Sequence, residues 1–172
     1  MGKNARPANL VETGLPYFEG NANLHIMNGN NHDGAGAHSG LHSMTYANQN
    51  FPTKVVAEVA RDKRVSDIYV ADVKLRGNKT SKRSSFFPAS MAWPAVRASI
   101  IEAWQDYKTY HSVSDVYDQI ANKYNLSWAG YATIQGQKIW VGSLSAGTQG
   151  NPIDTAFPAV NNKFYAGITG QI

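Results

Sequence analysis

The chain has 172 residues, of which 42% are hydrophobic and 16% are charged, a composition that indicates one globular domain and excludes intrinsic disorder. It contains no cysteine, which excludes disulfides and thiolate metal sites. It also lacks an apolar run near the roughly 18 residues that a membrane span requires. The net charge of +4 is compatible with a polyanionic partner.

Histidine and glycine are concentrated between Leu24 and Ser43. This stretch holds four of the five histidines in the chain, namely His25, His32, His38 and His42. Glycine admits backbone conformations that other residues avoid, and histidine titrates near neutral pH. The stretch therefore predicts a glycine-rich loop for acid–base chemistry or metal binding. The alternative is a solvated loop with incidental histidines.

The flanking segments predict an arm, two strands and a turn. Residues 1–23 have little pattern and are expected to form an N-terminal arm or the end of a linker. Residues 54–59 and 66–75 are the first strand candidates, the second of them rich in β-branched residues. Residues 77–85 are basic and rich in serine, and they predict a solvated turn.

Two helices are predicted next. Residues 93–108 have Pro94 in the first turn, where its missing N–H costs nothing. Apolar residues recur at helical spacing and predict a core face, made by Val96, Ile100, Ile101 and Trp104. Residues 112–124 predict a second helix, capped by Ser112 or Ser114. His111 is expected to be a surface or capping residue.

The C-terminal third changes to short strands. They are predicted over residues 128–134, 138–144 and 155–160, with Gly136 and Gln137 turning the first hairpin. Asn161 and Asn162 are expected to turn another hairpin, with residues 163–168 returning. The order of elements predicts an α+β fold with antiparallel sheet and one or two central helices. The domain is expected to span residues 24–172.

Two histidines and one lysine suffice to cleave RNA without a metal ion. A neutral imidazole takes the proton from the ribose 2′-hydroxyl, whose oxygen attacks the adjacent phosphorus, and a protonated imidazole gives a proton to the departing 5′-oxygen. A lysine ammonium stabilises the extra negative charge on the five-coordinate phosphorus. The first product carries a 2′,3′-cyclic phosphate, and DNA is refractory because it lacks the 2′-hydroxyl.

A metal site is the alternative use of the same histidines. His38 and His42 are four residues apart, a spacing at which two histidines on a helix share a metal ion. Gly40 lies between them and disfavours a helix there. A metal-dependent phosphodiesterase therefore stays open as an interpretation.

Four segments, taken in order, resemble the bacterial branch of the EndoU endoribonuclease family. Residues 24–29 (LHIMNG) are similar to its His-Ile-Leu-x-Gly segment, and residues 40–43 (GLHS) to its Gly-x-His segment. Residues 82–88 (KRSSFFP), followed by Trp93 and a helix, resemble its lysine, Ser/Thr and Phe-Pro segment. Residues 154–158 (DTAFP) resemble its Thr-Ala-Tyr/Phe-Pro strand. The resemblance covers residues 24 to 160.

The resemblance implies a metal-independent RNase, without a cofactor, of the barnase–EndoU–colicin–RelE architecture. His25 and His42 match the two catalytic histidines, and Lys82 matches the catalytic lysine. His38 and Lys79 compete with His42 and Lys82 for these assignments. The favoured assignment makes His42 the base and His25 the acid. The sequence alone does not decide which histidine has which role.

Further positions are implied to bind the substrate, namely Thr155, Phe157, Ser85 and Arg83. Phe157 stands where many relatives have tyrosine. A phenyl ring still stacks on a base, a contact worth about 1–3 kcal/mol, but it has no hydroxyl to donate. The alternative role for Lys82 and Arg83 is to bind the phosphate backbone and position the RNA without taking part in the reaction.

Many bacterial members of the family are toxin domains of larger secreted proteins. They act in the cytoplasm of a target cell and are held inactive by a cognate immunity protein. The resemblance thus implies delivery from a bacterium, an immunity partner and a looped or single-stranded RNA substrate such as a tRNA. Residues 1–7 carry charge without an apolar segment behind them, so we expect no signal peptide. A catalytically inactive RNA-binding module is the alternative from another class.

Overall fold

The computed structural model of the protein describes residues 14–29, 40–44, 54–74, 82–123 and 125–159, without the side chains of residues 54–56 and 82. Within these ranges the fold is α+β, as predicted, with three helices and two three-stranded antiparallel sheets. The elements in chain order are α1 (Ala22–Asn28), β1 (Lys54–Arg61), β2 (Tyr69–Lys74), β3 (Lys82–Phe86), α2 (Trp93–Tyr110), α3 (Asp115–Lys123), β4 (Trp128–Ile134), β5 (Gln137–Ser143) and β6 (Phe157–Pro158).

The first sheet has the order β1-β2-β3. Its first two strands confirm the predicted pair, although β2 begins at Tyr69 rather than at residue 66. The prediction of a turn over residues 77–85 is wrong for residues 82–85, which lie in β3. Antiparallel pairing with β2 sets Arg83 opposite Asp72, and the two side chains form a salt bridge at 3.0 Å. Such cross-strand pairs favour strand pairing in a segment whose polar composition is typical of a turn. Residues 75–81 lie outside the described ranges.

Helix α2 confirms the first helix prediction and ends two residues later, at Tyr110. Val96 and Ile100 are fully buried, whereas Ile101 is only half-buried, so the predicted apolar face is too wide by one residue. Helix α3 confirms the second predicted helix but begins at Asp115, three residues later than predicted. Asp115 lies in its first turn and Lys123 in its last, which complements the helix dipole.

The second sheet has the order β4-β5-β6. Strand β4 has the predicted bounds, but the turn after it uses Gln135 and Gly136 rather than Gly136 and Gln137. Their φ angles of 49° and 77° are those of a tight hairpin turn whose two central residues are both left-handed. Strand β6 comprises only Phe157–Pro158, so the predicted strand over residues 155–160 is wrong for residues 155, 156 and 159. The hairpin and strand predicted over residues 161–168 lie outside the described residues.

The main core lies between α2 and the second sheet and extends to the first. It is built on large, fully buried side chains, which include Trp128, Trp140, Ile139, Ile153 and Phe87. A second apolar cluster comprises Leu41, Met44, Ala71, Val73 and Phe86. The first sheet therefore contributes to both clusters, and residues 40–44 are held against it by the second.

Helix α2 covers the outer edge of β4. Asp106 accepts the N–H of Tyr131 at 2.8 Å, and Glu102 accepts the N–H of Thr133 at 3.0 Å. These carboxylates satisfy donors that β4 does not use in pairing with β5, which blocks the edge against pairing with another strand. In the part of the chain that is described, no helix is long and apolar enough to cross a bilayer.

The described part of the predicted arm pairs with the segment that precedes β6. Tyr17 donates to Gly147 O at 2.8 Å, and Glu19 donates to Ile153 O at the same distance. Helix α1 begins at Ala22, before the expected domain boundary, and that boundary stays a prediction. Residues 1–13 of the predicted arm lie outside the described ranges.

Candidate active site

His25 lies on helix α1. The prediction of a glycine-rich loop from residue 24 is therefore wrong for residues 24–28. Ala22 and Ile26 are buried in the main core, so tertiary packing favours a helix that the glycine content of the stretch obscured. The helix ends at Asn28, and Gly29 caps it with φ of 73°. His32, His38 and Lys79 lie outside the described residues.

Residues 40–42 dock on the C-terminal half of α1. Leu41 donates to His25 O at 3.0 Å, and His42 donates to Ile26 O at 2.6 Å. Gly40 and Leu41 both have left-handed backbones, with φ of 71° and 68°. Leu41 is fully buried in the second apolar cluster, and this burial offsets the conformational cost of a left-handed leucine.

Gly40 allows this close approach. A Cβ atom at Gly40 would lie 2.1 Å from His25 O and 2.8 Å from His25 Cδ2. Only glycine has room at this position, and only glycine adopts its φ angle without strain. Gly40 and Leu41 therefore both contact His25, and His42 directly follows them in the chain.

His42 is also bound to the edge of β3. Its carbonyl accepts the N–H of Phe87 at 3.0 Å, and its Nδ1 lies 2.7 Å from Ser85 O and 3.0 Å from Ser84 Oγ. The residue is 5% exposed. The main-chain N–H and C=O of His42 are both hydrogen-bonded, and its ring contacts a carbonyl oxygen. Together these contacts hold the imidazole in one orientation.

The contacts of Nδ1 determine the tautomer of His42. Ser85 O is only an acceptor, so Nδ1 must carry the hydrogen. Ser84 Oγ donates its one hydrogen to Leu41 O at 2.6 Å, and it is therefore an acceptor toward Nδ1 as well. In the neutral ring, Nε2 then holds the lone pair, which is the state that a general base requires.

Strand β6 and the residues just before it supply the other side of this site. Thr155 Oγ1 lies 3.4 Å from His42 Nε2, and the ring of Phe157 lies 5.2 Å from the imidazole, measured between centroids. Ser143 Oγ, fully buried, donates to Thr155 O at 2.5 Å. The structure therefore brings together His42 from the first half of the chain with Thr155 and Phe157 from its end.

The three predicted residues of β3 differ in their surroundings. Lys82 is the first residue of the strand, and its side chain is outside the description. Arg83 is exposed and bonded to Asp72, which raises the pKa of the guanidinium. The Ser85 hydroxyl is buried and has no hydrogen-bond partner in the structure. Their contacts with a substrate stay predictions.

Two supporting serines were not identified from sequence. Ser84 contacts His42, and Ser143 contacts Thr155. Ser84 and Ser85 are adjacent in a segment predicted as a turn, so the sequence offered no strand alternation with which to tell them apart.

Comparison with protein-family models, with curated proteins and with solved structures finds no match. Among the described side chains, no group of three or more His, Asp or Glu residues is placed to hold a metal ion.

A methyl group at Gly40 is expected to displace the loop from α1. In Gly40→Ala the new Cβ would overlap His25 O, and the left-handed backbone would be strained. We expect a loss of about 1–3 kcal/mol in the free energy of unfolding. Urea unfolding tests this, with Gly150→Ala as the control, because no atom lies within 4 Å of its Cβ position. Wild-type stability in Gly40→Ala would contradict the docking of the loop on α1.

Proposed function

We propose that the protein is a metal-independent endoribonuclease that cleaves RNA by attack of the 2′-hydroxyl on the adjacent phosphorus. The observation that carries the proposal is the fixed tautomer of His42 beside Thr155. A histidine whose Nδ1–H is bonded to a carbonyl presents Nε2 as a proton acceptor, an arrangement common to general bases. The resemblance to the EndoU family supports the same reaction.

In this proposal His42 Nε2 removes the proton from the 2′-hydroxyl. His25, in contact with the loop that carries His42, protonates the departing 5′-oxygen, and Lys82 stabilises the charge on the phosphorus. Thr155 holds the phosphate or the ribose near Nε2. The product ends are a 2′,3′-cyclic phosphate and a 5′-hydroxyl.

Single-stranded or looped RNA is the proposed substrate. Phe157 lies beside the imidazole and is half-buried, so part of its ring is accessible for stacking on an unpaired base. A tRNA loop, the toxin role and an immunity partner follow only from the resemblance and belong to the same proposal, as does the barnase–EndoU–colicin–RelE architecture.

The test is incubation of total RNA and single-stranded DNA with the purified protein in EDTA. We expect RNA fragments whose 3′ ends carry a cyclic phosphate, with the DNA intact. Cleavage only after addition of a divalent ion would replace the proposal with a metal-dependent phosphodiesterase. RNA binding without cleavage in either condition would leave a binding module.

A further inference from the structure

Ser84 makes two hydrogen bonds that converge on the candidate base. The side chain lies in β3, and the residue is 4% exposed. Its hydroxyl is 2.6 Å from Leu41 O and 3.0 Å from His42 Nδ1. One side chain therefore contacts both the imidazole and the carbonyl of the preceding residue.

The direction of these bonds follows from a count of protons. A serine hydroxyl has one hydrogen, and Leu41 O is only an acceptor, so that hydrogen points to Leu41. A lone pair on the same oxygen accepts the Nδ1–H of His42. The other neutral tautomer carries its hydrogen on Nε2. In that tautomer Nδ1 would face two oxygen atoms, neither of which has a hydrogen to donate to it.

Ser84 also supports a strained backbone. Leu41 has φ of 68°, a left-handed conformation that is unfavourable for a non-glycine residue, and its carbonyl is bonded to Ser84. Without the hydroxyl, Leu41 O loses this buried donor. Leu41 and His42 are adjacent, so relaxation of this peptide would rotate the imidazole away from Ser85 O.

We propose that Ser84 is a positioning residue, which holds His42 in the Nδ1–H tautomer and aims Nε2 at the reacting hydroxyl. The kinetic part of this inference rests on the proposed RNase function, but the tautomer does not. In the molecules whose Leu41–His42 peptide does not relax, Ser85 O keeps its contact to Nδ1. The expected effect is therefore partial rather than complete.

The first readout is ¹⁵N NMR of the histidine rings at a pH at which imidazoles are neutral. Wild-type protein is expected to show His42 with hydrogen on Nδ1 alone. Ser84→Ala is expected to show a second population with hydrogen on Nε2. Ser84→Cys, which preserves volume and replaces the hydroxyl with a weak donor, is the second variant in case the first does not fold.

The second readout is cleavage kinetics. We expect kcat to fall about 10–100-fold, as when a group that orients a reactive side chain is removed, with KM unchanged. Ser99→Ala is the matched control, since Ser99 is 5% exposed and donates to Val96 O within α2. It is expected to keep both the wild-type kcat and the wild-type spectrum.

An unchanged His42 spectrum in both Ser84 variants would overturn the inference. So would a spectrum in which wild-type His42 carries its hydrogen on Nε2. If the wild-type protein cleaves no RNA, the proposed function fails, and the spectra alone decide the role of Ser84.

Discussion

His42→Asn is expected to slow RNA cleavage by orders of magnitude while the protein stays folded. The side-chain amide nitrogen of asparagine occupies the position of Nδ1, so it keeps a donor for Ser85 O, which lies 2.7 Å from Nδ1 in the wild type. Asparagine has no counterpart of Nε2 and cannot take up the 2′-hydroxyl proton. Loss of one positioned proton transfer lowers the rate by about 10²–10⁴-fold.

Single-turnover cleavage of a labelled RNA measures this loss. Thermal unfolding shows whether the variant keeps its fold, and an RNA-binding assay shows whether it keeps its affinity for RNA. His111→Asn is the matched control. His111 lies at the C-terminus of α2, and its ring stacks on Tyr107 with centroids 4.3 Å apart. The His111→Asn variant is expected to cleave RNA at the wild-type rate. Undiminished cleavage by His42→Asn would mean that another group is the base.

Elements with a strong hydrophobic period were predictable from the sequence. Helix α2 has buried residues at helical spacing, such as Val96, Ile100 and Trp104, and its start is marked by Pro94. Strand β4 has a run of aromatic and apolar residues before a glycine turn and was predicted to its exact bounds. In both, the local signal and the tertiary contacts favour the same structure.

The parts that were missed depend on contacts between distant residues. Strand β3 is polar, and its pairing with β2 is what distinguishes it from a turn. Helix α1 has only seven residues, too few to be stable without the core that buries Ile26.

The candidate site likewise has residues that were predicted from the sequence and residues that were not. His42 and Thr155 are 113 positions apart, and no spacing rule relates them; both were identified through the resemblance. Their supports Ser84 and Ser143 became visible only with the hydrogen bonds. A single buried hydroxyl leaves no periodic pattern in a sequence, because its role depends on which carbonyl the fold brings to it.

Gly130→Ala is expected to destabilise the fold strongly, because the added methyl group would overlap the backbone of α2. A Cβ on Gly130 would lie 1.9 Å from Ala103 O and 2.8 Å from Ala103 C. Both are backbone atoms, so no side-chain rotation relieves the overlap, and α2 must move away from β4. Overpacking usually costs about 1–3 kcal/mol, and we expect this variant at or above the upper end.

Movement of α2 has a second consequence for β4. Asp106 and Glu102 would separate from the N–H groups of Tyr131 and Thr133, which exposes the strand edge that they cover. Urea unfolding at 25 °C measures the loss. Gly20→Ala is the control, expected within about 0.5 kcal/mol of the wild type, because nothing lies within 4 Å of its Cβ position. Equal stability of Gly130→Ala and the wild type would mean that helix and strand are farther apart than the structure places them.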